Sequence, residues 1–280
     1  MRKKAWALAL FMFWLGYEAK DNRIFPLTHF YKRHFVDQAE PIKTTAQRVY
    51  NVYTDINSKT RVACPEPAKT EVIVAIGQSN AANNGGHRFQ NKDNQILNFF
   101  NGQCFVASDP MLGATDNRGS MWIPFSKSYK TDKTILLVSF AAGATQVSQW
   151  NDPQDLAKHF DDNMSHLTSA GYLPELFIWI QGESDIGTKV DEYRSSLMQF
   201  MRGVQSRYPT SQIALSGTSY CGGHQSKSLR AAQRKVANKL DLIWLGATDD
   251  LSAPQYRYDD CHFSQLGLEK AAAQFVKRLQ

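Results

Sequence analysis

Short apolar runs recur along the chain, each followed by a polar or glycine-rich stretch. They are Glu71–Ile76, Thr134–Phe140, Leu176–Ile180, Gln212–Ser216 and Leu240–Leu245. Each is five to seven residues long and rich in Ile, Val, Leu and aromatics. Near-continuous apolar runs of this length predict strands buried on both faces. Between them the spacing changes. Val190, Tyr193, Leu197, Met201, Val204 and Tyr208 recur at steps of three and four, and Pro209 ends the run. Ser228–Leu240 and Gln265–Leu279 are further helix candidates, the second with Ser264 placed to cap its start. Strands alternating with helices predict an α/β protein with a parallel sheet covered on both faces. In such sheets chemistry collects at the carboxyl ends of the strands.

The first 20 residues follow a different pattern. Arg2, Lys3 and Lys4 precede Ala5–Tyr17, which carries no charge until Glu18. A basic flank before a short apolar stretch has the layout of a signal peptide or an uncleaved signal anchor. As a helix the 13 residues would rise ~20 Å, short of the ~30 Å hydrocarbon core. This predicts an exported protein, periplasmic, secreted or tethered to a membrane through residues 5–17. Residues 21–69, interrupted by Pro26, Pro41, Pro65 and Pro67, read as a neck or cap ahead of one domain over 70–280.

The net charge of +6 invites a nucleic-acid reading, but its distribution argues against one. Residues 1–43 hold eight of the 32 basic and four of the 26 acidic residues, and so four of the six net charges. The body has no basic run or aromatic-interleaved stripe, and no nucleic-acid partner is expected. A composition of 42% hydrophobic and 21% charged residues excludes a disordered chain and a polytopic membrane protein.

The strand ends carry the candidate chemistry. Gly77-Gln78-Ser79-Asn80 follows the first run. A serine at a strand-to-helix turn, with free N–H groups aimed at it, suits a nucleophile and an oxyanion hole. By itself the tetrapeptide reads equally as a helix cap. Ala142-Gly143-Ala144-Thr145 follows the second run, and Gly143 lets the backbone approach a ligand. Gln181-Gly182-Glu183-Ser184-Asp185 follows the third, and the Gln181 amide is a candidate oxyanion donor. Near the C-terminus stands Asp259-Asp260-Cys261-His262, just ahead of the last helix. An Asp three residues before a His can fold back onto the imidazole and fix its tautomer. That spacing sets His262 above His87, His159, His166 and His224, with Asp260 as the reserve acid.

Cys64, Cys104, Cys221 and Cys261 make an even count, which in an exported protein favours disulfides. Three pairings exist. Cys64–Cys104 with Cys221–Cys261 is preferred, because each would tie a segment to the edge of one site. A zinc site from Cys221, His224, Cys261 and His262 ranks below it, since adjacent Cys and His chelate a tetrahedral ion poorly.

Taken together, Gly77-Gln78-Ser79-Asn80, Gly143-Ala144-Thr145 with Trp150, Trp179–Asp185 and Asp259-x-x-His262 resemble the sialate O-acetylesterase-like carbohydrate esterases of the SGNH (GDSL-type) hydrolase superfamily. Arg230-Ala231-Ala232-Gln233 and Thr248-Asp249-Asp250-Leu251 are similar to further family stretches, and the resemblance runs from about Glu71 to the C-terminus. It implies a three-layer α/β/α, flavodoxin-like fold with no metal or other cofactor. It implies Ser79 as nucleophile, His262 as base and Asp259 as its orienter. The Ser79 and Gly143 N–H groups with the Gln181 amide would form the oxyanion hole. Gln78, Asn80 and Glu183 would order the site or touch the sugar. The implied activity is removal of O-acetyl groups from a glycan. An O-acetyltransferase of an exported polysaccharide would use the same residues, and a non-catalytic glycan-binding module would keep the fold alone. Pocket specificity is expected to lie in the loops Asn83–Asn94, Asp109–Met121 and Cys221–Ser228.

Overall fold

The computed structural model describes residues 50–248 and 251–280, which belong to one compact unit. The expected signal segment, residues 1–20 with the tether over 5–17, lies outside the described residues. So do most of the expected neck and Asp249 and Asp250. Among the described residues no helix is long and apolar enough to cross a membrane.

Eight strands form one sheet: β1 (Arg61–Val62), β2 (Thr70–Gly77), β3 (Ile96–Phe100), β4 (Gln103–Val106), β5 (Thr134–Ala141), β6 (Leu176–Ile180), β7 (Gln212–Ser216) and β8 (Ile243–Gly246). Their order is β1-β4-β3-β5-β2-β6-β7-β8. The six strands from β3 to β8 in that order run parallel, and β4 and β1 add an antiparallel edge. Among the described residues five helices cover the sheet: α1 (Trp122–Ser128), α2 (Leu156–Ser169), α3 (Val190–Arg207), α4 (Lys227–Leu240) and α5 (Gln265–Leu279).

The central strand explains the continuous apolar runs. Val72, Val74 and Ile76 enter one core with α2, α3 and α4, where Trp150, Phe160, Trp179 and Phe200 pack edge to face or tilted. Ile73 and Ala75, pointing the other way, enter a second core with α1 and α5. Both faces of β2 are dry, so no polar alternation is required. Ser226 caps α4 by accepting from the Leu229 N–H, and Ser264 caps α5 by accepting from Gly267.

The structure differs from the sequence reading in several places. Leu240 ends α4 and does not open a strand; Asp241 caps the helix with φ 54°, and β8 begins only at Ile243. The β3–β4 hairpin was unforeseen, although Asn101 (φ 47°) and Gly102 (φ 76°) form a two-residue turn with both φ positive, which suits the twist of paired strands. Residues 50–69 are not a separate neck: β1 pairs with β4, and Cys64 is bonded to Cys104.

Candidate active site

The strands that carry three of the expected motifs, β5, β2 and β6, lie side by side at the centre of the sheet. Their carboxyl ends are stitched together. The Gln78 N–H donates to the Ile180 carbonyl at 2.9 Å, and the Ala142 N–H donates to the Gly77 carbonyl at 2.9 Å. Gly77 makes this approach possible: its φ is +132°, and a Cβ there would sit 2.0 Å from the Ile180 carbonyl oxygen.

Beyond Gly77 the chain makes one hydrogen-bonded turn, with Ala82 N–H donating to the Gln78 carbonyl at 3.1 Å. The helix expected after Ser79 is not formed. The turn still leaves the Ser79 and Asn80 N–H groups without a protein acceptor among the described residues. Ser79 also walls a cleft, so its N–H remains available to a ligand oxygen.

A cleft of about 550 Å³ opens here, walled by Gln78, Ser79, Gly143, Glu183, Cys221, Cys261 and His262 of the expected residues. Tyr50, Asn51, Asn84, Thr115, Asp116, Ala144 and Ser184 complete it. Asn84, Thr115, Asp116 and Cys221 fall in the loops expected to set specificity; Tyr50 and Asn51 come from the expected neck.

Asp259 and His262 pair as their spacing suggested. Asp259 Oδ2 lies 2.7 Å from His262 Nδ1, and Oδ1 accepts from the His262 and Cys261 N–H groups at 2.7 and 3.1 Å. Partial burial pushes the Asp259 carboxyl up, but its bonds to His262 outweigh this and hold the pKa below the ordinary value. With Nδ1 engaged, Nε2 is the nitrogen left for the cleft. Asp260 does not serve as a reserve acid, because its carboxylate is bonded to the Tyr220 hydroxyl. The disulfide Cys221–Cys261 fastens this loop to the segment after β7, and Gly222 N–H adds a bond to the Asp260 carbonyl at 2.9 Å.

Gln181 is turned away from the position expected of it. It is 1% exposed and does not wall the cleft. Its amide nitrogen donates to the Thr145 carbonyl and to Asp185, and its amide oxygen accepts from the Tyr193 hydroxyl. Both amide hydrogens are thereby committed, so no oxyanion bond remains to it. Gln233 on α4 extends this buried network, donating to the Gln181 carbonyl and to the Tyr193 hydroxyl at 2.8 Å each. It also accepts the Thr218 N–H at 2.8 Å. Burial pushes the pKa of Asp185 up, against opposing hydrogen bonds from Gln181, Val147 and Thr188. The Gly143 N–H is also engaged, donating to the Thr115 hydroxyl at 2.8 Å.

Gln78 and Glu183 brace the floor. The Gln78 amide oxygen accepts from the Gly182 and Ser184 N–H groups at 3.3 and 3.2 Å. Glu183 Oε1 accepts from the Ser219 N–H and hydroxyl at 2.7 Å each, while its buried Oε2 has no partner among the described residues. Asn80 is buried beside Ser79 but does not wall the cleft. Sequence reasoning had no local signal for Ser219, Thr115 or Tyr193, which serve through tertiary contact.

The cysteine pairing is the preferred one, Cys64–Cys104 and Cys221–Cys261. Its rationale held for one bridge only, since Cys64 and Cys104 stand at the β1–β4 edge and not at the cleft. With its sulfurs joined, the alternative zinc set has lost its thiolates. Two disulfides fit an oxidising, extracytoplasmic compartment.

A parallel sheet with its cleft at the joined ends of β5, β2 and β6 is the architecture of the SGNH-type hydrolases. Solved structures agree. A protein from Arabidopsis thaliana matches with a TM-score of 0.63 at 16% identity, over 75% of this chain and 98% of that one. A GDSL-like lipase from Parabacteroides merdae matches with a TM-score of 0.54 at 13% identity, over 76% and 98%. At such identities these likenesses speak for the fold alone. No curated protein matches the sequence. The model of one family, carbohydrate esterase, sialic acid-specific acetylesterase, matches residues 69–279. The chain belongs to that family and is a carbohydrate esterase.

Proposed function

We propose that the protein is a serine esterase that removes O-acetyl groups from a glycan. One observation carries the reading: Ser79 and an Asp259-oriented His262 wall the same cleft. Ser79 Oγ attacks the ester carbonyl while His262 Nε2 takes its proton. The negative oxygen that develops is met by the free N–H group of Ser79. His262 then returns the proton to the departing sugar oxygen, leaving an acetyl ester on Ser79. Water, deprotonated by His262, attacks this ester and releases acetate, and the proton returns to Ser79. Asp259 holds the imidazole through Nδ1 and stabilises its charged form. Glu183 and Gln78 keep the β6 turn in place, and the glycan lies across the cleft toward Asn84 and Asp116.

The test is hydrolysis of p-nitrophenyl acetate and of defined O-acetylated sugars, including sialic acids, by wild type and Ser79→Ala. The variant is expected to lose about three orders of magnitude or more in kcat. It should also lose labelling by a fluorophosphonate probe. Wild-type hydrolysis by Ser79→Ala would sink the proposal.

A further inference from the structure

A second concavity of about 300 Å³ lies against the first, walled by Gly85, Gly86, His87, Arg88, Asn117 and Arg118. Its two wall segments continue those of the cleft without a gap, because Asn84 and Asp116 wall the cleft and Gly85 and Asn117 wall the concavity. Gly85 and Gly119 exchange backbone bonds of 2.7 and 3.1 Å, which brings the two segments edge to edge. Only glycine permits this pairing: a Cβ at Gly119 would sit 1.5 Å from the His87 carbonyl oxygen. The pairing sets Arg88 and Arg118 around one hollow.

The hollow gathers two guanidinium groups. Arg88 donates to the Asn117 carbonyl, and neither arginine forms an ion pair among the described residues. The neighbouring acids keep their charge, but their oxygens are turned to other donors. Asp116 accepts from the Asn84 amide and the Asn117 N–H at 2.7 Å each, and Asp259 holds His262. The hollow also touches the proposed machinery. The Arg118 guanidinium lies 5.2 Å from the Tyr258 ring centroid, and that ring stacks on His262 at 6.2 Å. The Tyr258 hydroxyl bonds to the Asn84 carbonyl at 3.1 Å across the partition between the cavities.

We infer that this hollow is an anion subsite, in which Arg88 and Arg118 bind a carboxylate or sulfate carried by the glycan beside the acetylated position. Guanidinium forks match the planar oxygens of such groups, and two unpaired ones in a concave wall favour an anion between them. The inference rests on the esterase reading and adds to it the residues that select acidic sugars over neutral ones.

The experiment compares kcat/KM on two matched pairs: an O-acetylated hexuronic acid against its methyl ester, and an O-acetylated hexose sulfate against the unsulfated sugar. Wild type is expected to prefer the anionic member of at least one pair by about tenfold or more at low salt. The pair preferred identifies the anion. In Arg88→Gln/Arg118→Gln the ratio should fall to about one, with the change in KM. A purely structural role for the arginines would slow both members alike and leave the ratio intact. Equal rates on both pairs in wild type, or an unchanged ratio in the double variant, overturn the inference. Calorimetric titration of Ser79→Ala with glucuronate, its methyl ester and glucose sulfate gives a readout independent of turnover. Anion-selective binding that the arginine substitutions abolish supports the subsite even if the esterase reading fails. Ser79-dependent hydrolysis of p-nitrophenyl acetate without anion preference leaves the esterase reading standing and removes the subsite.

Discussion

Removing either disulfide should cost the protein the same stability, but only one removal should cost activity. Both bridges close loops of equal length, with a sequence separation of 40 residues each. The chain-entropy relation then assigns each about 4 kcal/mol at 25 °C, from the conformations that the cross-link denies to the unfolded chain. Their surroundings differ. Cys64–Cys104 binds the segment ahead of β2 to β4, next to the edge strand β1, and neither cysteine walls the cleft. Cys221–Cys261 walls the cleft and adjoins His262, whose position depends on the short Asp259–His262 loop. A general base displaced by about 1 Å loses roughly two orders of magnitude in rate. Cys64→Ala/Cys104→Ala and Cys221→Ala/Cys261→Ala are compared by guanidinium unfolding without reductant and by kcat on p-nitrophenyl acetate. Both should show a similar fall in unfolding free energy, and only the second a fall in kcat, by about tenfold to a hundredfold. Wild-type kcat in Cys221→Ala/Cys261→Ala would refute the claim that this bridge positions His262. A loss of kcat in Cys64→Ala/Cys104→Ala would refute the separation of the two roles.

Asp259→Asn should lower kcat by about two to four orders of magnitude with KM little changed, because an amide cannot stabilise the imidazolium; a kcat within threefold of wild type would remove Asp259 from the triad. Asp109 gives a test of stability against pH. It is buried, and burial lifts its pKa to about 6 despite opposing bonds from Ser120 and Phe89. The folded state thus keeps this proton at a pH where the unfolded chain, with a pKa of about 3.9, has released it. Its contribution is full below about pH 4 and is lost as pH rises to about 6, on the order of 3 kcal/mol in all. The difference in unfolding free energy between wild type and Asp109→Asn should change across that window and be flat above it. A difference independent of pH would contradict the buried, protonated Asp109.

Much of the fold was legible because burial on both faces leaves a one-dimensional trace. The runs at β2, β5, β6 and β7 are apolar throughout, and α3 and α5 show their steps of three and four. Leu240 was misread because a leucine at a helix end and one opening a strand look alike over so short a stretch. The hairpin signal Asn101-Gly102 lay in plain view between two apolar runs, but those runs are short and one holds the buried polar Asn98.

Of the site, the chain itself determined what local geometry can deliver. Asp259-x-x-His262 closes its own loop within four residues, and Gly77 marks the strand end where backbone must meet backbone. The direction of a side chain is another matter. Gln181 stands two residues before Glu183, yet Gln181 faces Thr145, Asp185 and Tyr193 while Glu183 walls the cleft. Only the tertiary structure decided this. An amide turns toward whichever buried donors and acceptors surround it, and for Gln181 the local Asp185 is joined by Thr145 and Tyr193 from other segments. The same holds for Tyr50 beside the cleft and for the basic hollow shared by Arg88 and Arg118, which the chain separates and the Gly85–Gly119 pairing unites.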